Sequence, residues 1–249
     1  MEKRIGLVMA AGKGTRMKSD LPKVLFPVCG RPMIDYVLDA LREADVERIV
    51  VIVGYRADLV REALAERPGI EFVEQTEQLG TGHAVMVCRD VIKGHNGSVF
   101  VIAGDSPMIQ ADSVRALLDD FDREPAACLL GTARKDKPFG LGRIVRGEAG
   151  EFTGIVEERD ATEEQKQITE VNMSYYVFRC PDLLTALDEI RPDNSQGEYY
   201  ITDVPGVLLA QGKPVRAQQV LKPCEVLSIN TVEELEIVES AMQEAGRAE

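Results

Sequence analysis

Short apolar runs alternate with stretches of helical periodicity through the first half of the chain. The runs predict buried strands, and the periodic stretches predict helices that bury one face. Strands and helices that alternate in this way indicate a parallel sheet with right-handed crossovers, in which ligands bind at the carboxyl ends of the strands. The predicted strands are residues 5–11, 49–53, 70–73 and 99–103, and the predicted helices are one beginning at Pro32, residues 57–66 and residues 82–91.

The pattern changes near residue 125. Three strands joined by glycine-containing turns are predicted next, which indicates a mixed or antiparallel extension of the sheet. A charged stretch, residues 160–167, is predicted to be an exposed loop or a short helix. The three strands are residues 127–134, 142–146 and 152–156; further on come a strand at 170–178, helices at 181–190 and 201–210, a strand at 215–220 and a last helix that Thr231 and Glu234 open with a capping box.

Composition places the chain among globular proteins. Hydrophobic residues make up 45% of its 249 residues, charged residues make up 29%, and the formal net charge is -13. This acidity argues against nucleic acid as a partner, because binding to a phosphate backbone requires an extended basic face. The five cysteines have no C-x-x-C spacing, and no apolar stretch approaches 18 residues. We therefore expect reduced thiols, no membrane segment, no signal peptide and a cytoplasmic location.

Four cations crowd the loop that follows the first predicted strand. Lys13, Arg16, Lys18 and Lys23 stand there with only Asp20 opposing them. Such a basic pocket on an acidic protein favours a small polyanion as ligand. Glycines at positions 12 and 14 allow main-chain N–H groups to approach phosphate oxygens. The sequence fits neither a P-loop nor a dinucleotide fingerprint. The alternative interpretation is a surface loop with ordinary solvated lysines.

A set of ordered motifs carries a family resemblance over about residues 5–236. The chain resembles the sugar-1-phosphate nucleotidyltransferases, and most closely the N-terminal uridyltransferase domain of bacterial bifunctional N-acetylglucosamine-1-phosphate uridyltransferase/glucosamine-1-phosphate acetyltransferases. The motifs are A-A-G-x-G-T-R-M at residues 10–17, L-P-K at 21–23, G-R-P-M at 30–33, Q-x-x-Q-L-G-T-G-H-A at 75–84, G-D-x-P at 104–107, G-R-I at 142–144, I-V-E at 155–157, G-E-Y-Y-I-T-D at 197–203, and Asn230.

The resemblance implies a fold and a domain organisation. The fold is an α/β, Rossmann-like nucleotidyltransferase fold of the glycosyltransferase A type, with a mostly parallel central sheet flanked by helices and a mixed sugar-binding extension. We expect one domain over residues 1–249, with a nucleotide-binding part at about 1–124 and a sugar-binding part at about 125–230. The hexapeptide repeats of the family's acetyltransferase β-helix are absent from this sequence, so acetyl transfer is not expected from it.

The implied reaction is transfer of UMP from UTP to N-acetylglucosamine 1-phosphate, with pyrophosphate leaving. Both reactants are anionic, so catalysis consists mainly of charge neutralisation and in-line alignment. By resemblance, Arg16 acts at the leaving β- and γ-phosphates and Lys23 at the reacting phosphates. Asp105 and Asn230 are the expected oxygen ligands of a Mg²⁺ cofactor. The alternative roles are a helix cap for Asp105 and a turn residue for Asn230.

The expected substrate contacts divide between the two parts of the domain. A glutamine amide at position 75 can pair with N3–H and a carbonyl of uracil or thymine, although a rotated amide could also satisfy cytosine. His83 is expected to be structural. The expected nucleotide-binding residues are Met9, Ala10, Ala11, Gly12, Gly14, Gln75, Gly80 and Thr81, and the expected sugar-binding residues are Gly142, Glu157, Asn172, Tyr200 and Thr202.

Two departures from the family lie near the expected sugar site. Ala103 stands where the bifunctional enzymes carry a tyrosine, and their Asn-Thr-Gly becomes Asn172-Met173-Ser174. Glucose 1-phosphate or another sugar phosphate, with UTP or dTTP, therefore remains an alternative substrate pair. A nucleotide-binding regulatory module without turnover is a second alternative. The expected partners are small molecules, UTP and a sugar 1-phosphate, and the sequence leaves the oligomeric state open.

Overall fold

The computed structural model describes residues 3–14, 17, 19–124, 126–229 and 231–247. Within these ranges the strands are β1 (Ile5–Ala10), β2 (Pro27–Val28), β3 (Arg31–Pro32), β4 (Arg48–Val53), β5 (Ile70–Glu74), β6 (Ser98–Ala103), β7 (Cys128–Arg134), β8 (Gly142–Arg146), β9 (Phe152–Val156), β10 (Glu170–Arg179) and β11 (Val215–Gln219). The helices are α1 (Met33–Glu43), α2 (Ala57–Ala63), α3 (Thr81–Met86), α4 (Arg89–Ile92), α5 (Ala111–Arg123), α6 (Cys180–Leu187), α7 (Val204–Ala210) and α8 (Val232–Glu244).

A nine-stranded sheet forms the centre of the described structure. Its main path runs in the order β11-β7-β10-β6-β1-β4-β5, and β8 and β9 extend it from β10. The four strands β6, β1, β4 and β5 are parallel, whereas β10 lies antiparallel to β6, β7 and β8. The predicted α/β fold with a parallel core and a mixed extension is therefore confirmed.

Helices cover both faces of the sheet. One apolar cluster joins α1, α2 and α5 to the face that includes Val8 and Val51, and the other joins α3, α6 and α7 to the face that includes Leu7 and Val50. Adjacent residues of β1 and β4 face opposite clusters because side chains alternate along a strand. Both faces are buried, which is why these strands read as continuous apolar runs.

Four elements differ from the sequence prediction. Helix α5 was not predicted, although Val114, Leu117, Leu118 and Phe121 bury one helical face. The predicted helix at 82–91 is divided into α3 and α4, and the predicted helix at 201–210 begins as a 3-10 turn, Ile201–Asp203. Residues 27–32 form a small hairpin, so Pro32 precedes α1 instead of starting it.

The last helix follows the predicted cap. Thr231 accepts a hydrogen bond from the Glu234 backbone N–H, at 3.3 Å from Oγ1. Met242 and Val238 of α8 pack on Val28 and Met33, so the helix covers the small hairpin. No helix within the described ranges combines the length and the apolar character needed to cross a bilayer.

Candidate active site

A cavity of about 370 Å³ opens at the carboxyl ends of the parallel strands. Two main-chain hydrogen bonds hold the loops around it. The Gly104 N–H donates to the Met9 carbonyl oxygen at 2.9 Å, and the Tyr55 N–H donates to the Ala11 carbonyl oxygen at 2.9 Å. All eight expected nucleotide-binding residues line this cavity, together with Lys23 and Asp105. The structure therefore gathers residues from four separate stretches of the chain into one pocket.

The loop after β1 requires glycine at position 14. The φ angle of Gly14 is +65°, and a Cβ placed there would lie 2.5 Å from Cβ of Lys23. Any other residue would meet both backbone strain and a steric clash. By contrast, a Cβ at Gly12 would meet no heavy atom of the described chain within 4 Å. The loop thus packs against Lys23 and leaves open space beside Gly12.

Lys23 and Asp105 form a direct ion pair across the pocket. The Lys23 Nζ atom lies 2.6 Å from Asp105 Oδ2, and the side chains are 14% and 30% exposed, respectively. Lys23 belongs to a 3-10 turn, Lys23–Leu25, and Asp105 lies two residues after β6. Arg16, the other expected catalytic cation, lies outside the described residues. The ion pair therefore places a cation and a carboxylate side by side in the described part of the site.

The carboxylate of Asp105 suits a magnesium ion that the substrate largely holds. It is a partly exposed oxygen donor at a strand end, which is the ligand type that Mg²⁺ prefers. Within the described ranges, no group of three or more His, Cys, Asp or Glu side chains surrounds a possible ion. One or two protein ligands with waters and phosphates is a usual Mg²⁺ arrangement. Asn230, the second expected ligand, lies outside the described residues.

The Gln75 side chain is fixed inside the pocket wall. It is only 3% exposed, and its Nε2 lies 3.1 Å from the Gly80 carbonyl oxygen and 3.1 Å from His83 Nδ1. Its backbone N–H donates to the Val53 carbonyl oxygen at 2.8 Å. The backbone carbonyl oxygen of Gln75 accepts a hydrogen bond from Gln78 Nε2 at 2.9 Å. Both ends of the residue are therefore held in place.

The segment around Gly80 packs against the chain at residues 199–201. Gly80 has a φ angle of +107°, and a Cβ there would lie 2.5 Å from the Tyr199 carbonyl oxygen. The Tyr199 N–H donates to the Leu79 carbonyl oxygen at 2.8 Å. Thr81 Oγ1 accepts the Ile201 N–H at 3.1 Å. The hydroxyl of Thr81 is thus engaged with the chain.

Four of the five expected sugar-binding residues meet where β8 pairs with β10. Gly142 and Asn172 are register partners, and the Glu157 carboxylate oxygens lie 3.5 Å from the position of a Cβ on Gly142. The Thr202 hydroxyl hydrogen-bonds Glu157. Burial raises the pKa of the Glu157 carboxyl, and this hydrogen bond opposes the rise. Tyr200 is the fifth: it is 6% exposed, and its hydroxyl accepts from Gln196 Nε2 at 2.6 Å.

A bulge in β10 redirects the chain beside Asn172. The pairing with β7 shifts register between Asn172 and Tyr175, and Ser174 adopts a left-handed conformation with a φ angle of 61°. The Asn172 amide donates to the Tyr176 hydroxyl at 2.6 Å and accepts the Ser174 N–H at 3.1 Å. Ser174 consequently lines the main cavity.

A side cavity of about 150 Å³ adjoins the main one. Ala103, Ser174, Lys23 and Asp105 line both cavities. Met173 lines the side cavity, so both departures from the family border the same space. The rest of its wall is mixed in polarity and includes Leu141, Leu227, Ser106 and Ser228.

Three polar residues of the main cavity were missed by sequence reasoning as site residues. Gln78, Ser174 and Glu198 line it. Gln78 and Glu198 stand inside motifs that carry the resemblance, which was a signal that could have identified them. Ser174 enters the cavity through the bulge in β10, and the sequence gives no sign of that bulge.

The fold and the pocket define a class, an α/β domain with a glycine-containing loop at the switch point of a parallel sheet. The model of the MobA-like NTP transferase domain matches residues 6–194. The chain therefore belongs to the MobA-like NTP transferase family, and it is a nucleotidyltransferase by family.

Curated relatives narrow the similarity further. The chain is 44% identical to the bifunctional protein GlmU of Streptococcus gordonii over 237 residues, which cover 95% of this chain and 51% of that protein. It is 42% identical to the bifunctional protein GlmU of Bacillus licheniformis over 230 residues, which cover 92% of this chain and 50% of that protein. The chain spans about half the length of these relatives.

Solved structures share the fold. A UDP-glucose pyrophosphorylase complexed with UDP-glucose superposes with a TM-score of 0.79 at 22% identity, over 98% of this chain and 100% of that chain. A protein described as a glucose-1-phosphate thymidylyltransferase of Bacillus anthracis, in complex with sucrose, superposes with a TM-score of 0.78 at 21% identity, over 96% of this chain and 94% of that chain.

Proposed function

We propose that the chain transfers UMP from UTP to N-acetylglucosamine 1-phosphate in a Mg²⁺-dependent reaction, giving UDP-N-acetylglucosamine and pyrophosphate. The observation that carries the proposal is the ion pair of Lys23 and Asp105 beside the open loop at Gly12, within one pocket. A cation, a carboxylate and accessible main-chain N–H groups are the parts that phosphoryl-transfer sites combine. The relatives named GlmU, at 42–44% identity, support the choice of reaction.

The reaction is an exchange of one phosphorus–oxygen bond for another. A phosphate oxygen of the sugar phosphate bonds to the α-phosphorus of UTP, and the bond from that phosphorus to the bridging oxygen of the β-phosphate breaks. Pyrophosphate leaves with the electron pair of the broken bond. Lys23 neutralises charge on the reacting phosphates, because its ammonium group projects into the pocket between the loops after β1 and β6. Arg16 is the proposed cation for the leaving phosphates.

Asp105 would hold the magnesium ion, with Asn230 as its proposed second protein ligand. The bound ion supplies charge neutralisation and alignment of the triphosphate oxygens. The chain places the Asp105 carboxylate just after β6, in contact with the Lys23 ammonium group. In the proposed reaction this ammonium group binds a phosphate oxygen. Lys23 and Asp105 therefore mark two adjacent positions, one for a phosphate oxygen and one for a cation.

The fixed amide of Gln75 favours uracil or thymine as the base. The Nε2 group donates to the Gly80 carbonyl oxygen, which can only accept, and it also lies 3.1 Å from His83 Nδ1. The carbonyl oxygen of the amide is then the atom that remains for a base, and it can accept from N3–H of uracil or thymine. N3 of cytosine is an acceptor and offers no such hydrogen.

Two groups beside β8 suit a hexose. The Glu157 carboxylate, directly after β9, and the Asn172 amide of β10 lie on either side of Gly142 in β8, and both groups can bind sugar hydroxyls. Ala103 and Met173 favour a second candidate, the same reaction with glucose 1-phosphate or another sugar phosphate, because both line the side cavity. dTTP in place of UTP belongs to this second candidate.

A substrate grid tests the proposed function. Pyrophosphate release is measured with Mg²⁺, crossing UTP, dTTP, CTP and GTP against the 1-phosphates of N-acetylglucosamine, glucosamine and glucose. UTP with N-acetylglucosamine 1-phosphate should give the highest kcat/KM. A higher value for another sugar would select the second candidate. No release from any combination, with UTP still bound in a calorimetric titration, would contradict catalysis and favour a regulatory nucleotide-binding module.

A further inference from the structure

A buried carboxylate borders the side cavity. Glu225 is 3% exposed and belongs to a 3-10 turn, Pro223–Val226, that follows β11. It lines the side cavity and does not line the main one. The proposed reaction involves no direct contact with this carboxylate. A carboxylate in such a position is tolerated only when hydrogen bonds satisfy it, so its partners define what it holds together.

Each oxygen of the Glu225 carboxylate accepts one backbone N–H and one hydroxyl. Oε1 accepts the Gln110 N–H at 3.1 Å and the Tyr175 hydroxyl at 3.1 Å. Oε2 accepts the Lys222 N–H at 2.8 Å and the Ser113 hydroxyl at 2.5 Å. A backbone N–H can only donate, so both oxygens are needed as acceptors. The carboxylate therefore joins its own turn to the start of α5 and to β10.

The segments that meet at Glu225 are also walls of the side cavity. Gln110 is the last residue of the loop between β6 and α5, and Tyr175 follows the bulge in β10. The turn that contains Glu225 runs directly into residues 227 and 228. The wall residues that these three segments supply are Asp105 and Ser106, Met173 and Ser174, and Leu227 and Ser228.

We propose that Glu225 is a positioning residue for the sugar of the substrate, because it joins three walls of the side cavity at one point. This inference rests on the proposed function and deepens it, since Asn172, one of the proposed sugar contacts, lines the same cavity. The eight expected nucleotide-binding residues lie on other segments of the chain. Loosening the junction at Glu225 should therefore weaken binding of the sugar more than binding of the nucleotide.

Glu225→Gln keeps the size of the side chain and removes one acceptor. Whichever way the new amide is turned, its NH₂ group faces the backbone N–H of either Gln110 or Lys222. Rotation cannot restore both contacts, because neither N–H can act as an acceptor. One junction between the walls is then lost. A lost contact in a binding pocket changes affinity by about tenfold or more.

Two further variants separate positioning from general loss of stability. Tyr175→Phe removes only the hydroxyl that reaches Glu225, and it keeps the ring that packs edge-on against Phe100 at 6.2 Å between centroids. Asp182→Asn is the matched control, because it converts another buried carboxylate, 5% exposed, into an amide. Asp182 lies in α6, pairs with Lys213 at 2.8 Å and lines neither cavity.

The experiment measures the dissociation constants of UDP and UDP-N-acetylglucosamine by calorimetry, for the full chain and for each variant that thermal melting shows to be folded. The two ligands differ only in the sugar, so the ratio of their constants isolates its contribution. The ratio of Kd for UDP-N-acetylglucosamine to Kd for UDP should rise about tenfold in Glu225→Gln and about threefold in Tyr175→Phe. It should not change in Asp182→Asn.

The outcomes distinguish the positioning role from the proposed function. A ratio within about twofold of the parent in folded Glu225→Gln, or an equal rise in Asp182→Asn, would overturn the positioning role and leave the proposed function standing. If Glu225→Gln does not fold, an unchanged ratio in Tyr175→Phe would overturn the role in the same way. A parent chain that binds neither ligand, or UDP alone, would overturn the proposed function, and the positioning role with it.

Discussion

The Lys23 ammonium group and the Asp105 carboxylate, 82 residues apart in the chain, meet at 2.6 Å between Nζ and Oδ2. One follows β1 and the other follows β6, and these two strands are parallel neighbours in the sheet. The carboxyl ends of neighbouring parallel strands lie at the same edge, so the topology brings the two charges together. In the proposed reaction the lysine neutralises phosphate and the aspartate holds the metal.

Removal of the lysine charge should reduce the chemical step. Lys23→Met keeps the aliphatic stem that packs against Gly14 and removes the ammonium group. Loss of a group that stabilises developing charge lowers kcat by about 10² or more. Steady-state pyrophosphate release measures the effect. Lys93→Met, which changes an exposed lysine after α4, is the control. A rise confined to KM would mean that Lys23 contributes uniform substrate binding instead.

Neutralising the carboxylate should separate metal binding from folding. Asp105→Asn keeps the size of the side chain, and an exposed fraction of 30% makes a large loss of stability unexpected. Turnover should fall by about 10² or more, and the Mg²⁺ concentration needed for half-maximal activity should rise. Titration of Mg²⁺ against the UTP complex by calorimetry gives a second readout. Near-parental activity at low Mg²⁺ in this variant would remove Asp105 from the metal site.

The side cavity should determine the choice of sugar. Ala103→Tyr would place a phenol side chain at the position that borders both cavities. We expect the kcat/KM ratio between N-acetylglucosamine 1-phosphate and glucose 1-phosphate to change by about tenfold or more, since filling a pocket alters contacts with a substituent by about one to three kcal/mol. Met173→Phe narrows the same space from another wall. Equal ratios in the parent and both variants would show that the cavity takes no part in sugar selection.

A buried arginine holds the loop that precedes β8. Arg143 is 2% exposed, its Nη2 lies 2.6 Å from Glu158 Oε2, and the same Glu158 oxygen accepts the Gly140 N–H at 3.1 Å. Arg143→Met would remove a buried guanidinium and leave the Glu158 carboxylate, which is 19% exposed, without that partner; the free energy of unfolding should fall by about 2 kcal/mol. Arg146→Met removes an arginine that is 31% exposed from its pair with Glu170 and should cost about 1 kcal/mol. Urea unfolding distinguishes the two, and equal losses would contradict a special role for Arg143.

The carboxyl of Asp203, which follows the expected sugar-binding residue Thr202, should make stability depend on pH. Burial, with the negative charge of Asp160 as a second cause, raises the pKa of Asp203 to about 6. In the unfolded chain the pKa of an aspartate carboxyl is about 3.9. Between about pH 4 and pH 6 the folded protein therefore binds more protons, and the free energy of unfolding falls as the pH rises.

Asp203→Asn removes this dependence. The free energy of unfolding of the variant minus that of the parent should rise by about 1 kcal/mol from pH 4 to pH 7. This figure is reduced because the Asp203 carboxyl is partly exposed. Urea unfolding at the two pH values measures the gain. Asp136→Asn changes an exposed aspartate and should show no such gain. A parent and an Asp203→Asn variant with parallel pH profiles would contradict the raised pKa.

The elements predicted best from the sequence are strands whose apolar residues follow one clear pattern. The apolar run of β1 and the spacing of β8 and β9 predicted strands to within a residue, because burial on one or both faces imposes a regular pattern. Helix α5 was missed although its apolar spacing is regular. The position of the start of α3 involves long-range contacts, those of Gly82 with Tyr199 and Ile190, that a local pattern does not contain.

The site was predictable as a set of residues and not as a set of contacts. The motifs identified four candidate site residues, Gly14, Lys23, Gln75 and Asp105, and the structure places all four in one cavity. Their pairings arise from long-range geometry that local pattern does not contain. The Lys23–Asp105 ion pair and the orientation of the Gln75 amide depend on strand order and on the position of α3.

The proposed transfer is tested most directly by its stoichiometry. Purified chain, UTP, N-acetylglucosamine 1-phosphate and Mg²⁺ are combined, and UDP-N-acetylglucosamine and pyrophosphate are quantified together by ³¹P NMR. We expect the two products to appear in equal amounts, only when both substrates and Mg²⁺ are present, and at least about a hundredfold more slowly with Lys23→Met. Pyrophosphate without the nucleotide sugar, or UTP binding without either product, would contradict the proposed function.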